Sequence, residues 1–461
     1  MSTTTTPDDP FTPQPPHVSP LAEGLTGRGF TPAADAEGNP DAATAAFARA
    51  MEQGFYQPYL SDEQLSRVYQ AYFSHGPYCY GVYPVADEPA VERVREHYGF
   101  HAEYPVATWA DFDKTLNTGV DLLPARLITG VTVNAAYRRR GILRHMMTHA
   151  LARAVTDGAP VAALTASEGG IYGRFGFGVA AREAHVEVNT AGGPGGFELR
   201  TPPTGRVVPA DPSRLEAAIA EVWEGFHRRT RGSVDRQQVY TEFATARLNV
   251  EEWSTWNRSM RAAIHVRADG RIGGIVWWTH AGWETEPTRV EVRDLLAVDE
   301  TSHRELWRYL ASLDLADQVR ATTAVEDPAP WAARNPRSWR VTRIKDVLWI
   351  RVLNPVTALQ SRQWGTDGEF SLSLTDPMGI ASGVFTVSVS AGVAQVSSSQ
   401  SPTTPQHISL DIESLGSLYL GDVSVLTLRD AGRITAGEDL DWAALSATVD
   451  LKDRPFCATH F

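Results

Sequence analysis

The run Arg138-Arg139-Arg140-Gly141 restricts the fold of this chain more than any other feature, because of the elements on either side of it. Residues 125–133 before it are apolar and β-branched, which predicts a buried strand. Residues 141–157 after it place apolar side chains at helical spacing. A helix start leaves backbone N–H groups unpaired and attracts phosphate, and Gly141 lets a ligand approach the backbone closely. The segment therefore predicts a phosphate site in an α/β domain.

Taken alone, three arginines after a strand would also suit a solvated helix start. The flanking elements favour a ligand site, because the spacing fits the pattern R-x-x-G-x-(G/A), with Leu143 in the last place. This pattern resembles the pyrophosphate loop of the GNAT superfamily of N-acetyltransferases. The resemblance implies acetyl-CoA as cosubstrate, held by main-chain groups of Val131, Thr132 and Val133 and by the loop residues Arg139, Arg140, Gly141, Ile142, Leu143 and Arg144.

A second distinctive segment, residues 166–176, reads Ala-Ser-Glu-Gly-Gly-Ile-Tyr-Gly-Arg-Phe-Gly. Glycines on both sides of Tyr172 predict a turn that presents a phenol at the end of a strand. A tyrosine hydroxyl can protonate a departing thiolate, which acetyl transfer from coenzyme A requires. The alternative is that Tyr172 belongs to a buried aromatic cluster with Phe175 and Phe177. The glycine-rich turn favours the catalytic interpretation for Tyr172 alone.

The two segments together resemble the enhanced-intracellular-survival (Eis) family of N-acetyltransferases, and residues 415–421 and the terminal Phe461 extend the similarity over nearly the whole chain. The resemblance implies two tandem GNAT acetyltransferase-like α/β domains, the second without cofactor, and then a sterol-carrier-protein-like α+β domain. It also implies a homohexamer, with Tyr172 as general acid and the main-chain carboxylate of Phe461 as general base. Ser167 and Glu168 would contact the cofactor.

Length and composition agree with this organisation. A chain of 461 residues is longer than one core usually organises. We divide it into a disordered leader (1–22), a cofactor-binding domain (23–192), a second GNAT-like domain (200–345) and a sterol-carrier-like domain (346–461). The strand-helix passage 290–313 echoes 127–151, which suggests a duplicated domain that has lost its phosphate site.

Charge and cysteine content restrict the partners and the compartment. The formal net charge of -13 argues against non-specific nucleic-acid binding and suits a cationic amine substrate. Cys79 and Cys457 offer neither a disulfide framework nor metal-type spacing, so we expect no metal and a reduced, cytoplasmic setting. Apolar stretches are too short to cross a bilayer, so we expect no membrane insertion.

Two positions depart from the family pattern. His460 stands where the family often has an acidic residue, and Gln57 aligns with an aspartate that helps to hold cationic substrates. These replacements put multiple acetylation of aminoglycosides in doubt, but not transfer to cationic amines, whether an aminoglycoside, a polyamine or a lysine side chain. His145 and His149, at i, i+4 spacing without an interposed Glu, are expected on the surface.

Two other functional interpretations stay open at this point. The C-terminal domain could carry a hydrophobic ligand, with the acetyltransferase loop vestigial. The chain could also bind coenzyme A as a sensor without turnover. The intact loop and Tyr172 turn favour the enzyme.

Overall fold

The computed structural model describes residues 11–85, 89–100, 103–193, 195–249 and 252–461. Residues 1–10 of the predicted leader lie outside these ranges, as does Pro194 of the glycine-rich segment 191–196.

The first region places helices on the faces of a mainly antiparallel run of strands. Helix formation follows local signals: Asp41 caps the first helix by accepting from the Thr44 amide, and Ser61 with Gln64 forms a capping box on the second. A π-helical turn, Tyr69–Phe73, extends the second helix. The elements are β1 (Leu25–Phe30), α1 (Ala42–Gly54), α2 (Asp62–Val68), β2 (Tyr78–Pro84), α3 (Pro89–Tyr98), β3 (Ala107–Asn117), β4 (Leu122–Val133), α4 (Ile142–Thr156), β5 (Val161–Thr165), α5 (Gly169–Tyr172) and β6 (Gly178–Asn189).

The middle region repeats this order of strands and helices. Its elements are β7 (Arg206–Ala210), α6 (Glu216–Arg229), α7 (Gln238–Ala244), β8 (Leu248–Asn249), β9 (Ser254–Thr255), β10 (Arg261–Val266), β11 (Ile272–His280), β12 (Arg289–Ala297), α8 (Glu300–Ala311), β13 (Gln318–Ala324), α9 (Ala329–Ala332) and β14 (Trp339–Val352). Trp277 and Trp278 are buried in its core, as expected of a central strand.

The two regions share one sheet and exchange their last strands. Within the described residues, twelve strands follow the order β1-β2-β3-β4-β5-β14-β6-β13-β12-β11-β10-β7. Strand β14 of the middle region pairs with β5, whereas β6 of the first region pairs with β13. Each region is thus completed by a strand from the other.

The third region packs a separate sheet and short helices against the first. Its elements are α10 (Pro355–Gln360), β15 (Gly368–Thr375), β16 (Gly383–Ser390), β17 (Val393–Ser399), β18 (His407–Asp411), α11 (Ile412–Leu418), α12 (Val425–Asp430), β19 (Ile434–Ala436) and α13 (Trp442–Val449). Its strand order is β17-β16-β15-β18-β19. Its apolar core is continuous with that under β4 and β5, including Leu127 and Ile350.

The structure differs from the predicted organisation at two boundaries. Strand β14 runs through the boundary placed between 345 and 346, because Trp339–Val352 contains no turn signal and pairs with β5 and β6. The described part of the predicted leader is ordered rather than disordered. The Phe11 ring packs edge-on against Phe385, and the Ser19 amide donates to the Thr148 hydroxyl at 3.0 Å.

The prediction that His145 lies on the surface is also wrong. Its side chain is buried, with Nε2 2.7 Å from the Tyr80 hydroxyl and Nδ1 2.6 Å from the Ser19 main-chain oxygen. His149 is half-buried, stacks on Tyr78 and lies tilted against Tyr80, and burial lowers its pKa to about 4. The ordered segment around Ser19 covers this face of α4, which helical spacing alone could not show.

No helix in the described ranges is long and apolar enough to span a membrane.

Candidate active site

A cavity of about 530 Å³ opens where β4 and β5 end, and all three regions contribute to its walls. The first region supplies the floor and one side through β4, β5 and α1. The middle region contributes Gln237 and Trp253, and the chain end contributes His460 and Phe461. Most lining side chains are apolar or aromatic, with a few polar groups among them, as in typical small-molecule sites.

The cavity exists because β4 and β5 diverge. Among the described residues the two parallel strands pair through Ala125, Arg126 and Leu127 and then separate. The edge of β4 that faces β5 is consequently unpaired at Val131 and Val133, while its other edge pairs with β3. Open main-chain N–H and C=O groups at such an edge need partners, so this edge can pair with an extended, amide-containing chain.

The start of α4 has the geometry of an anion site. Gly141 adopts a left-handed conformation (φ 75°) and precedes the helix, and no described side chain caps the free N–H groups that follow it. A Cβ at Gly141 would meet nothing within 4 Å, so the approach is open. Arg139 also has positive φ (64°) and, like Arg144, is exposed, whereas the Ile142 side chain belongs to the core. An uncapped helix start flanked by guanidinium groups fits a pyrophosphate.

Tyr172 ends the short helix α5 and points into the cavity wall. The turn that follows it reverses through Gly176, which has φ 82° and lies against the Arg351 side chain. The phenol is buried, and burial together with the charge of Glu168 raises the pKa of Tyr172 to about 12. Tyr172 therefore remains protonated throughout the neutral range and can donate a proton into the cavity.

The last residues of the chain are fixed against the same cavity. The Thr165 hydroxyl donates to the main-chain oxygen of Phe461 at 2.5 Å and accepts from the Phe461 amide at 3.2 Å. The Phe461 ring meets Phe112 edge-on at 6.3 Å, and Phe456 packs edge-on against Phe226. Apolar burial and paired hydrogen bonds thus hold the terminus beside β5.

His460 is held by a separate set of partners. Its main-chain N–H and C=O lie 2.6 and 2.9 Å from the Tyr240 hydroxyl, and its Nε2 lies 3.1 Å from the buried Glu183 carboxylate. His185 approaches the other Glu183 oxygen at 3.2 Å. Burial alone would raise the pKa of Glu183, but the hydrogen bond and charge of His460, with His185 and Lys345, hold that pKa below its usual range. Glu183 is therefore a buried carboxylate in contact with the side chain of the penultimate residue.

Glu52 is a cavity residue that sequence reasoning missed. It is buried, no described residue pairs with its carboxylate, and burial raises its pKa to about 7. Its charge also helps to raise the pKa of Tyr72, which faces the same cavity. The available signal was periodicity, because Glu52 follows Thr44 and Ala48 at i, i+4 spacing on the buried face of α1.

The predicted site residues fall into two groups. Val131, Ser167, Tyr172 and Phe461 line the cavity together with Gln57 and His460. The loop from Arg139 to Arg144 lies at the start of α4, and Glu168 is exposed beside Ser167 at the start of α5. Thr132 is buried, and its hydroxyl is 2.6 Å from that of Thr108, while the Leu143 side chain is half-buried.

Comparison with known proteins agrees with this architecture. Residues 66–180 and residues 232–352 each match an acetyltransferase (GNAT) domain, and residues 355–458 match a sterol carrier protein domain. The tandem acetyltransferase domains and the sterol-carrier-like third domain predicted from the sequence are thereby confirmed.

Curated relatives narrow the class. An uncharacterised N-acetyltransferase of Streptomyces griseus is 33% identical over 372 residues, covering 78% of this chain and 88% of the relative. N-acetyltransferase Eis of Mycobacterium tuberculosis is 31% identical over 327 residues, covering 68% and 75% respectively. The crystal structure of Eis1 from Mycobacterium abscessus superposes with a TM-score of 0.73 at 23% identity, covering 95% of this chain and all of that one, which shows a shared fold.

The fold and site thus define a GNAT acyltransferase with tandem acetyltransferase domains. Within that class, the chain belongs to the Eis family of N-acetyltransferases. GNAT acetyltransferases in general use acetyl-CoA.

Proposed function

We propose that this enzyme transfers the acetyl group of acetyl-CoA to a primary amine of a cationic substrate, with Tyr172 as general acid and the main-chain carboxylate of Phe461 as general base. One observation carries the proposal. A single cavity contains the Tyr172 side chain, the terminal residue Phe461 and the open edge of β4.

Different residues of the site would bind different parts of the acetyl-CoA molecule. The uncapped N–H groups after Gly141, with Arg139, Arg140 and Arg144 around them, would hold the pyrophosphate. The free edge of β4 from Val131 to Val133 would pair with the amides of the pantetheine arm, with Ser167 and Glu168 at its reactive end. The thioester would then lie in the cavity beside Tyr172.

The reaction needs two proton movements, and the chain has a group for each. The Phe461 carboxylate would take a proton from the amine nitrogen as that nitrogen forms its bond to the acetyl carbon. The Tyr172 phenol would donate a proton to the sulfur as the C–S bond breaks. The products are the amide and the free thiol of coenzyme A. A base must lie within hydrogen-bond reach of its proton, and the Thr165 hydroxyl fixes the Phe461 main chain for that purpose.

The acceptor classes consistent with the family are an aminoglycoside, a polyamine or a lysine side chain, and the expected assembly is a homohexamer. The middle region contributes Gln237 and Trp253 to the cavity, which suits a domain kept for its role in the acceptor site. Light scattering that detects only monomer at working concentration would contradict the hexamer.

The test is a comparison of the free enzyme with one carrying two added residues after Phe461. We expect the extension to remove most turnover, by at least 100-fold, because the terminal carboxylate becomes an amide. Affinity for acetyl-CoA by calorimetry and thermal stability should stay unchanged. Wild-type turnover in the extended enzyme would exclude Phe461 as the base.

Tyr172→Phe complements this test. It should lower kcat by a similar factor while the affinity for acetyl-CoA is retained. Combining it with the extension should cost little more than either change alone, because both groups serve one proton-transfer sequence. Fully multiplicative losses would show that the two groups act independently.

A further inference from the structure

We infer that Arg236 of the middle region is a positioning residue for the terminal carboxylate of Phe461. This inference rests on the proposed function and adds to it a residue that acts on the reaction through the chain end. Its basis is the set of contacts that the last residues of the chain make with the middle region.

The end of the chain lies along the loop between α6 and α7. The Phe456 amide donates to the Arg231 carbonyl at 2.9 Å, and the Thr459 hydroxyl donates to the Val234 carbonyl at 2.7 Å. Thr459 and Val234 are both fully buried. The middle region therefore holds the terminus, in addition to the contacts with β5 described above.

Arg236 makes the central contact of this loop. Its side chain is buried, and its guanidinium donates to the Ala458 carbonyl at 2.8 Å and to the Asp294 carboxylate at 2.6 Å. The guanidinium carbon lies over two rings, 4.2 Å from the centre of Trp223 and 4.3 Å from the centre of Tyr240. An ion pair, a hydrogen bond and two cation–π contacts together fix the position of this group.

Tyr240 extends the effect of Arg236 toward the last residue. Its hydroxyl donates to the His460 carbonyl at 2.9 Å and accepts from the His460 amide at 2.6 Å. Burial raises the pKa of Tyr240 above its usual range, so the hydroxyl stays protonated and keeps both hydrogen bonds. Arg236 thus holds Ala458 directly and His460 through the Tyr240 ring, and Phe461 follows His460 in the chain.

The shape of the guanidinium group matters here as well as its charge. A guanidinium can donate to Asp294 and to Ala458 from two different nitrogens while its flat face lies on a ring, whereas a lysine ammonium keeps the charge without that geometry. A base must lie within hydrogen-bond reach of its proton, and a displacement of about 1 Å can cost roughly 100-fold in rate. Arg236→Lys therefore tests the position of the terminus rather than the charge beside it.

The experiment compares four enzymes: the unaltered chain, Arg236→Lys, the chain with two residues added after Phe461, and the combination of both changes. Initial rates of thiol release from acetyl-CoA are measured with kanamycin, spermidine and Nα-acetyl-lysine amide. We expect Arg236→Lys to lower kcat about tenfold and to leave KM for acetyl-CoA unchanged. In the extended chain the same substitution should have no further effect, because the terminus can no longer act as the base.

The outcomes separate this inference from the proposed function. If Arg236→Lys lowers kcat by the same factor in the unaltered and the extended chain, Arg236 acts independently of the chain end, and the inference is wrong while Phe461 remains the base. An unchanged kcat in Arg236→Lys overturns the inference in the same way. Wild-type turnover in the extended chain would overturn the proposed function, and the inference with it.

Two further variants separate positioning from damage to the fold. Tyr240→Phe keeps the ring beside Arg236 and removes only the hydroxyl, so we expect a smaller loss of kcat that is again absent from the extended chain. Arg267→Lys is the matched control, because Arg267 also belongs to the middle region but pairs with Asp269 and Asp299. It should change neither kcat nor KM, and a loss as large as that in Arg236→Lys would overturn the positioning role.

Discussion

The first and middle regions are the two acetyltransferase halves of the molecule. They share one sheet but differ at the start of one helix. Helix α4 begins after Gly141 with no described side-chain cap, so its N–H groups are free for a ligand. Helix α8 begins after Asp299, whose carboxylate accepts from the Ser302 amide at 2.7 Å, and its first residue is Glu300. In the second half, a carboxylate of the chain itself thus occupies the helix start. In the first half, the helix start has no side-chain cap and is open to a phosphate.

Each half contains a pair of parallel strands that diverge, β4 and β5 in the first half and β12 and β13 in the second. Strands β12 and β13 pair through residues 289–291 and 318–320 and then separate, and a cavity of about 500 Å³ lies beside them. The turn that follows differs, because α9 ends in Trp331 and Ala332 whereas α5 ends in Tyr172. The second half thus keeps the divergent strands, but its corresponding helix start is capped by Asp299 and its short helix does not end in a tyrosine.

The largest expected effect is on acetyl-CoA affinity, when a carboxylate is introduced at the start of α4. We expect Gly141→Glu to weaken acetyl-CoA binding at least 100-fold by calorimetry, because a carboxylate would stand at the helix start where we propose that the pyrophosphate binds. Gly158→Glu is the matched control, since Gly158 lies just beyond the other end of α4, has positive φ (79°) and meets nothing within 4 Å. Both variants carry the same backbone strain, so equal affinity for acetyl-CoA in the two would place the pyrophosphate elsewhere.

The exchanged strand β6 provides the second test. Glu183→Gln should lower kcat about tenfold with little change in acetyl-CoA affinity, because His460 would lose its charged partner and the chain end would be less well placed. His460→Ala should have the same effect, and the double variant should resemble either single one. The control is Glu187→Gln, further along the same strand, whose carboxylate pairs with Arg320 and Arg340 away from the chain end. Equal kcat in Glu183→Gln and Glu187→Gln would exclude this positioning role.

The smallest expected effect concerns a buried carboxyl in each half. Burial raises the pKa of both Glu52 and Asp327 to about 7. The folded state therefore keeps a proton that the unfolded chain loses, and the free energy of unfolding falls as pH rises from the ordinary carboxyl pKa to about 7.

Glu52→Gln and Asp327→Asn should each reduce that fall, because an amide in place of the carboxyl does not titrate in this range. Thermal unfolding at pH 5 and pH 8 measures this. We expect a change of KM for amines in Glu52→Gln alone, because Asp327 lies in the second half, 3.3 Å from His303. A pH-independent difference between variant and parent would contradict the raised pKa values.

Much of the fold and of the candidate site could be predicted from the sequence because those parts depend on local patterns. The loop at Gly141, the Tyr172 turn and the helices around them are set by glycine placement and by helical periodicity within about 20 residues. The position of Phe461 beside β5 came instead from the family resemblance, and the paired hydrogen bonds to Thr165 agree with it.

The features that were missed depend on long-range contacts. His145 is buried because Ser19 and Tyr80 cover it, and neither residue is near it in the sequence. The strand β14 crosses a predicted domain boundary because its partners, β5 and β6, lie far earlier in the chain. Gln57 lines the cavity, and so does the buried carboxylate of Glu52, five positions earlier in the chain, which the sequence pattern did not single out.

The strand exchange has a consequence for how such a protein can change over time. A gene fragment encoding the first half alone would leave β5 without its neighbour β14, and the freed edge would invite aggregation. Deletion of the second half would therefore remove a structural strand from the first half. The two halves therefore depend on each other for one continuous sheet, and a chain shortened at the boundary between them would open a sheet edge in each half.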